Sequence, residues 1–490
     1  MSVWAKIKGI FSPIDMTRGP IVKSLLLFLI PTALSMLFQQ FYTLTDAAIV
    51  GRALSGAEVA GVNNAGPLSF LVLEFGMGCA AGFSVIFGER VGAHDVEGAK
   101  KSYFAQIVLS VFVSLIMAAC IPLIPWALSL LRIAASASDP EKNAIFIAAK
   151  TYLTILFAGS IATVFYNMIV AVLRAKGDSF VPFLILVGAT IVNIGLDALF
   201  VLVFKWGVAG SAAATVFSQS LAAIGAMVYA GVRYPELRIH KMDIKIPFSF
   251  YWRHIKNGLP LGLQFSILAI GMIVMQSSIV AFDITPSGDF LPNLAAEIGY
   301  GAACRVINIF ICPLTALGTA VLAFVSQNRG AKDHTRIRDG FKKAMLVGAI
   351  IFGASNLIGF LLTIGGAYQY LFLSPDKISE RSILLGNIYL YINLPGLAFL
   401  LLLFVVRNAL QGFEKPLWPF ISGIGELAAR VGFAMLLPLL FTHGQAINSE
   451  SGLWAFAAVM AADALAWLVS PLLSLPALWK EMKEEKPREN

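Results

Sequence analysis

The sequence predicts an all-α polytopic membrane protein: twelve transmembrane helices in two pseudo-symmetric six-helix lobes. Three observations carry this. The 490 residues are 58% hydrophobic and only 13% charged, with mean hydropathy +0.80, whereas a soluble domain carries about 25% charged residues. Apolar windows of about 20 residues recur twelve times. Short sequence matches repeat at an almost constant offset along the chain.

The windows fall near 22–50, 57–86, 103–130, 145–172, 180–204, 207–231, 257–282, 294–325, 343–365, 384–410, 416–441 and 452–478. Several exceed 25 residues and imply tilted or bent spans. The first is too long for a signal-peptide core. Basic residues set the orientation. With the N-terminus inside, 27 of the 36 Lys and Arg side chains, among them Lys6, Lys8, Arg18, Arg90, Arg174, Lys241, Arg329, Arg407, Lys486 and Arg488, lie on the inner side. Seven lie outside, including Arg132 and Lys205, and Arg305 and Arg430 lie within spans. This is the positive-inside pattern, and it puts both termini in the cytoplasm of a plasma (inner) membrane. It also accounts for the net charge of +8, so no nucleic-acid partner is needed. Cys79, Cys120, Cys304 and Cys312 sit in apolar runs without CxxC spacing and read as small core residues.

The repeat is carried by GERVGAHD at 88–95 and SQNRGAKD at 326–333, which are 238 residues apart. Upstream, Ala60-Gly61-Val62 pairs with Ile298-Gly299-Tyr300; downstream, Val181-Pro182-Phe183 pairs with Trp418-Pro419-Phe420 at an offset of 237. Six spans per half give both halves the same orientation, the parallel-repeat arrangement of some secondary transporters. The domains expected are an N-terminal lobe over 1–232, a cytoplasmic linker over 233–256, and a C-terminal lobe over 257–490 ending in a short charged tail. The amphipathic KIPFSFYWRHIK in the linker is expected to lie along the membrane interface.

Charge inside hydrocarbon costs roughly 2.5–3.5 kcal/mol even on the lenient insertion scale and marks function by default. Asp46 lies near the outer end of the first span, and Asn193 and Asp197 are four apart on the fifth, on one helical face. Asp197 precedes the short turn at Trp206 by nine residues and Thr215 follows it by nine. An antiparallel hairpin therefore sets both about 13 Å below the turn. Ser211 lies one turn from Thr215 on the same face. Oxygen-only donors with a carboxylate suit a hard cation or a proton. Further charges needing partners are Glu74, Asp283, Glu297, Arg305, and Glu426 with Arg430 at i, i+4. Glu74 is the best additional candidate for contact with substrate or proton, and Pro31 bends the first helix. All five histidines, His94, His240, His254, His334 and His443, lie in or beside loops, and no HExxH or GxSxG occurs, so no enzyme is expected.

Taken together, PTALSMLFQQFYTLTDAAIVGR with Pro31, Gln39, Tyr42 and Asp46, NIGLD with Asn193 and Asp197, Ser211 and Thr215 on the next span, RAKGD at 174–178 and QGFEKP at 411–416 resemble the multidrug and toxic compound extrusion (MATE) family. The tone is nearest the bacterial branch of DNA-damage-inducible and MepA-like exporters. The resemblance implies a V-shaped bundle that exports amphiphilic organic cations in exchange for Na⁺ or H⁺ by alternating access. In that reading Asp46, Asn193, Asp197, Thr215 and Ser211 hold the cation, the first four as Na⁺ ligands if Na⁺ is used. Pro31, Gln39, Tyr42, Glu74, Glu426 and Arg430 serve substrate or gating. No cofactor beyond the coupling ion is implied, the partners are lipid and small amphiphiles, and a monomer is expected. The alternative is a flippase for lipid-linked saccharide precursors from the same superfamily. It would need a basic cavity, to which only Arg305 and Arg430 could contribute.

Overall fold

A computed structural model describes residues 13–131, 133–136, 139–238, 245–291 and 293–484. Lys6, Lys8, Arg132, His240, Lys241, Lys486 and Arg488, the centre of the linker and the charged tail lie outside the described residues. The chain is helical, in the order α1 Ile21–Ala53, α2 Gly56–Gly92, α3 Val96–Ala119, α4 Pro140–Ala158, α5 Ser160–Ala175, α6 Phe180–Asp197 and α7 Gly207–Arg233. Then follow α8 Phe248–Val280, α9 Ala295–Gly330, α10 His334–Thr363, α11 Glu380–Gly412, α12 Leu417–Leu436 and α13 Leu453–Glu484. Among the described residues eleven helical segments are long and apolar enough to cross a membrane, and α4 with α5, bent by 50°, adds a twelfth when the pair is counted as one span. The twelve windows of the sequence correspond to these one for one. The four cysteines are free.

The interface helix expected from KIPFSFYWRHIK does not form as a separate element. From Phe248 onward it is the first part of α8 and runs on into the seventh span. Its two faces explain this: Phe248 and Trp252 are exposed and stacked on one another, while His254 is fully buried and reaches Ser102 Oγ at 2.8 Å. Asp283 is likewise spent locally. It caps the start of α9, accepting from the backbone N–H of Ala296 at 3.0 Å and of Glu297 at 2.8 Å.

Two compact units emerge, and they cut across the halves of the repeat. One comprises Met1–Ala269, Leu322–Ile337 and Gln411–Pro416; the other comprises Ile270–Val321, Arg338–Leu410 and Leu417–Asn490. In the first unit α2 packs on α3, α4 and α5, and α7 on α5 and α6. In the second, α12 lies along α13.

The repeat is visible in the backbone. His94 and Lys332, 238 apart, both take left-handed φ (55° and 58°), and Gly177 and Glu414, 237 apart, do the same (89° and 56°). Asp95 caps α3 through Gly98 N–H at 2.8 Å, and Asp333 makes the same bond to Arg336 N–H at 2.9 Å. Within the first unit the tips of α2 and α9 cross at backbone contact. A Cβ on Gly92 would overlap the Gln327 carbonyl oxygen, and one on Gly330 would overlap that of Glu89. These four positions are equivalent in pairs at the offset of 238, so the crossing is itself two-fold.

Around this crossing Glu89, Arg253, Arg329 and Glu414 form a closed ring of two anions and two cations. Arg253 bridges both glutamates, at 2.8 Å to Glu414, and Arg329 lies 3.1 Å from Glu414 and 3.7 Å from Glu89. Burial opposes ionisation of Glu414, yet Arg329 and Arg253 hold its carboxyl below the usual carboxylate range. A depressed folded value contributes stability above the ordinary pKa near 4.5, and that stability is lost as pH falls through the folded value. Glu414→Gln should therefore cost about 1–3 kcal/mol near neutrality and flatten the acid limb of a plot of melting temperature against pH. An unchanged acid limb would mean the ring contributes nothing.

The chain before α1 is strapped to the same place. Met16 is fully buried; its N–H donates to Gln327 Oε1 at 3.0 Å, and its carbonyl accepts from Asn328 Nδ2 at 3.0 Å and Arg336 Nε at 3.1 Å. Ile14 N–H bonds the Gly177 carbonyl at 3.0 Å, and Gln327 Nε2 donates to Ala175 at 2.8 Å.

Candidate functional site

Three helices of the first unit bring the site together. On α1 the helix continues through the buried Pro31. Proline cannot donate to the carbonyl four residues earlier. The hydroxyls of Thr32 and Ser35 turn back onto the Phe28 and Pro31 carbonyls at 2.9 and 2.8 Å, so that these buried side chains are satisfied within α1 itself, just beyond the Leu27 carbonyl that the proline leaves without its helical donor. One turn apart beyond it stand Tyr42 and Asp46, both half-buried. On α6, Asn193 and Asp197 occupy the last turn, and the helix then widens into a π-helical turn over Ala198–Val203. Such turns are uncommon and concentrate at functional sites. On α7, Ser211 and Thr215 share a face.

The side chains meet. Tyr42 Oη lies 3.5 Å from Thr215 Oγ1, and the carboxyls of Asp46 and Asp197 are direct neighbours, with Tyr42 in electrostatic reach of both. Asn193, Asp197 and Ser211 are 1% exposed or less. Apart from the contact of the two carboxyls with one another, no donor or acceptor among the described residues completes either oxygen of Asp197, either polar atom of the Asn193 amide, the Ser211 hydroxyl or Oδ1 of Asp46. Burying so many polar atoms without partners costs about 1–3 kcal/mol each, and the cost stands unless a ligand completes them. The donors present are two carboxyls, an amide and hydroxyls, with no histidine or thiol. They fit Na⁺ or a proton, since hard cations take oxygen ligands. Two carboxylates in contact repel, and either ion would relieve that repulsion.

Tyr152 on α4 joins this group, in electrostatic reach of Asp46, Tyr42 and Asp197. The sequence reading passes over it, because a tyrosine in an apolar run carries no formal charge to draw notice. Gln39 is exposed on α1, and Glu74 is half-buried on α2. No contact among the described residues ties either to the cluster.

The second unit holds a different arrangement. Glu426 and Arg430 do pair along α12, at 3.2 Å, but as part of a larger network. Arg407 Nη2 lies 2.7 Å from Glu426, and Arg430 Nε lies 2.9 Å from Asp463 on α13. Arg407 also donates to Ser470 Oγ at 2.8 Å, and Tyr389 Oη reaches Asp463 at 3.5 Å. Arg407, counted above with the cytoplasmic charges, is 5% exposed inside α11. Its place near the end of an apolar window makes it look like a loop residue. Asp463 was legible by the same rule as Asp46, as a lone acid in AVMAADALAWLV. Arg305 is exposed on α9 with its guanidinium 5.7 Å from the Phe372 ring centroid. With Arg305 on an aromatic ring and Arg430 paired to two carboxylates, the basic cradle required of a lipid-pyrophosphate flippase finds no support among the described residues.

A helical chain with eleven to twelve apolar spans among the described residues, holding a buried cluster of oxygen atoms without partners, has the build of a polytopic membrane transporter rather than an enzyme. The MatE family model matches residues 31–199 and 294–436, one stretch in each half. The chain belongs to this family, that of the MATE transporters. It is 29% identical over 328 residues to the probable multidrug resistance protein YpnP of Bacillus subtilis (strain 168), covering 66% of this chain and 68% of that one. It is 27% identical to the probable multidrug resistance protein YoeA of the same organism, covering 83% and 85%. Its fold matches the outward-facing conformation of a multidrug resistance MATE family transporter of the MOP superfamily with TM-score 0.81 and 21% identity, over 97% of this chain and 98% of the other.

Proposed function

We propose that this protein exports amphiphilic organic cations across a bacterial plasma membrane, with both termini cytoplasmic, in exchange for Na⁺ or H⁺. The observation that carries the reading is the cluster of Asp46 and Asp197 with the uncompleted atoms of Asn193 and Ser211. Both relatives named above are called multidrug resistance proteins, which supports drug-like cargo.

In this reading the cation is taken up between Asp46 on α1 and Asp197 on α6, and Asn193, Thr215 and Ser211 complete its oxygen shell. Loading draws α1 toward α6 and α7, and Pro31, which removes one backbone bond from the helix, is the point at which it bends. Tyr42, 3.5 Å from Thr215 Oγ1, shifts with it. Cargo and cation drive the cycle only by binding its two states with different affinity. Glu74, with Gln39 further along α1, is the acidic contact for a positively charged cargo. The protein acts as a monomer surrounded by lipid.

The test is efflux of an ethidium-like dye from everted vesicles under an imposed ΔpH or ΔpNa, applied separately. One gradient alone should drive export at least several-fold above the gradient-free rate. Equal rates with and without both gradients would remove the antiport reading.

A further inference from the structure

The repeat supplies counterparts for the cation site, and they differ in charge. At the offset of 237 that relates Gly177 to Glu414, Asn193 corresponds to Arg430 and Asp197 to the fully buried Ala434. The last spans of the two halves are registered by a second contact. A Cβ on Gly159 would lie 3.1 Å from Val216 Cβ, and one on Gly396, 237 residues on, would lie 2.8 Å from Ala464 Cβ. Val216 and Ala464, 248 apart because the turn before α13 is longer than the one before α7, take the same place against these glycines, and so do their predecessors Thr215 and Asp463. In the first half these positions hold an amide and a hydroxyl beside two carboxyls. In the second they hold a guanidinium and a carboxylate 2.9 Å apart.

Charge bookkeeping follows. The first site has two carboxyls, Asp46 and Asp197, and no basic side chain among its members. The second has two, Glu426 and Asp463, and two basic groups, Arg407 and Arg430, each at ion-pair distance. Two unlike signs cancel in the second and nothing cancels in the first.

We infer that Arg430 is a tethered cation: it stands in the second half where the first half takes an exchangeable ion, so that only one of the two homologous sites is open to exchange. The inference rests on the reading of Asp46 and Asp197 given above and extends it to the number of ions moved per cycle. Replacing Arg430 by asparagine, the residue at its repeat-equivalent position, removes from Glu426 and Asp463 the guanidinium that bridges them and leaves Arg407 on Glu426. A mobile cation then has a carboxylate to occupy.

The experiment counts exchangeable cations per purified full-length chain, by equilibrium binding of ²²Na⁺ and by proton uptake on an acid jump. One site is expected in the wild type and none in Asp197→Asn. Arg430→Asn should hold two, and Arg430→Asn/Asp463→Asn one, while Arg430→Lys, still tethering a charge, should stay at one. An Arg430→Asn protein that folds and binds a single ion overturns the inference. If that variant is recovered only in high Na⁺, with a melting temperature that rises with Na⁺ more steeply than the wild type's, the ion is replacing the guanidinium and the inference stands. Failure to fold at any Na⁺ concentration overturns it, because Arg430 is then a structural strut. Should Asp197→Asn keep the wild-type ion, the first-site reading fails instead, and Arg430→Asn still reports on its own carboxylates.

Discussion

Asp197→Asn is expected to give a folded, correctly inserted protein in which cation-driven export falls to the gradient-free rate. The change is nearly isosteric, so the packing at the end of α6 survives. What is lost is one of the two carboxylates of the proposed cation site, in a position 0% exposed. A charge-assisted contact is worth about 1.5–3 kcal/mol, which corresponds to roughly 10- to 150-fold in cation affinity. Thermal stability should be unchanged or slightly raised, since repulsion between Asp46 and Asp197 is removed. Tyr152→Phe, which deletes a phenol beside the cluster but no charge, should weaken coupling only several-fold. Dye efflux from everted vesicles, with surface quantity checked by immunoblot, separates these outcomes. Normal coupled efflux from Asp197→Asn would place the ion elsewhere.

The other large effect is expected where α2 and α9 cross. Gly92→Val or Gly330→Val puts a side chain into a backbone carbonyl of the opposing helix. A flexible neighbour cannot yield there, because the obstructing atom is main chain. Overpacking costs about 1–3 kcal/mol when side chains can adjust, and this crossing allows no such adjustment, so loss of folded protein is expected. The control lies on the same helix. A Cβ on Gly66 meets nothing within 4 Å, and Gly66→Ala should stabilise by up to about 1 kcal/mol through helix propensity. Size-exclusion profiles of full-length protein in detergent measure both. A monodisperse Gly92→Val variant with wild-type melting temperature would show that the crossing is not close-packed.

Much of this was legible because hydrocarbon is an unforgiving solvent. Twelve spans could be counted because each must be apolar over its whole length. The approach of Asp46 to Asp197 and of Tyr42 to Thr215 is what one rule leads one to expect, that polar atoms in apolar runs seek each other, together with the shortness of the turn at Trp206. The bend at Gly159 was not legible, since a hydropathy window reads through a break that changes direction but not composition. Nor was the widened turn after Asp197, because nothing in Ala198–Val203 distinguishes a π-helical turn from an α-helical one before tertiary packing selects it. Arg407 was misplaced for a related reason: position along a window does not say which way a side chain points. The repeat was faint as letters and plain as backbone. A left-handed φ at His94 and Lys332, or at Gly177 and Glu414, is fixed by the geometry of the turn, which different residue types can occupy.

The twenty amino acids ahead of Ile21 would ordinarily be treated as a handle for tags. Met16, sealed beneath Gln327, Asn328 and Arg336, makes that choice consequential. An affinity sequence fused close to Pro13, or a truncation that reaches it, would pry at a clasp on two turns of the protein, at Gly177 and between α9 and α10, and a transporter so altered would report on its handle as much as on itself.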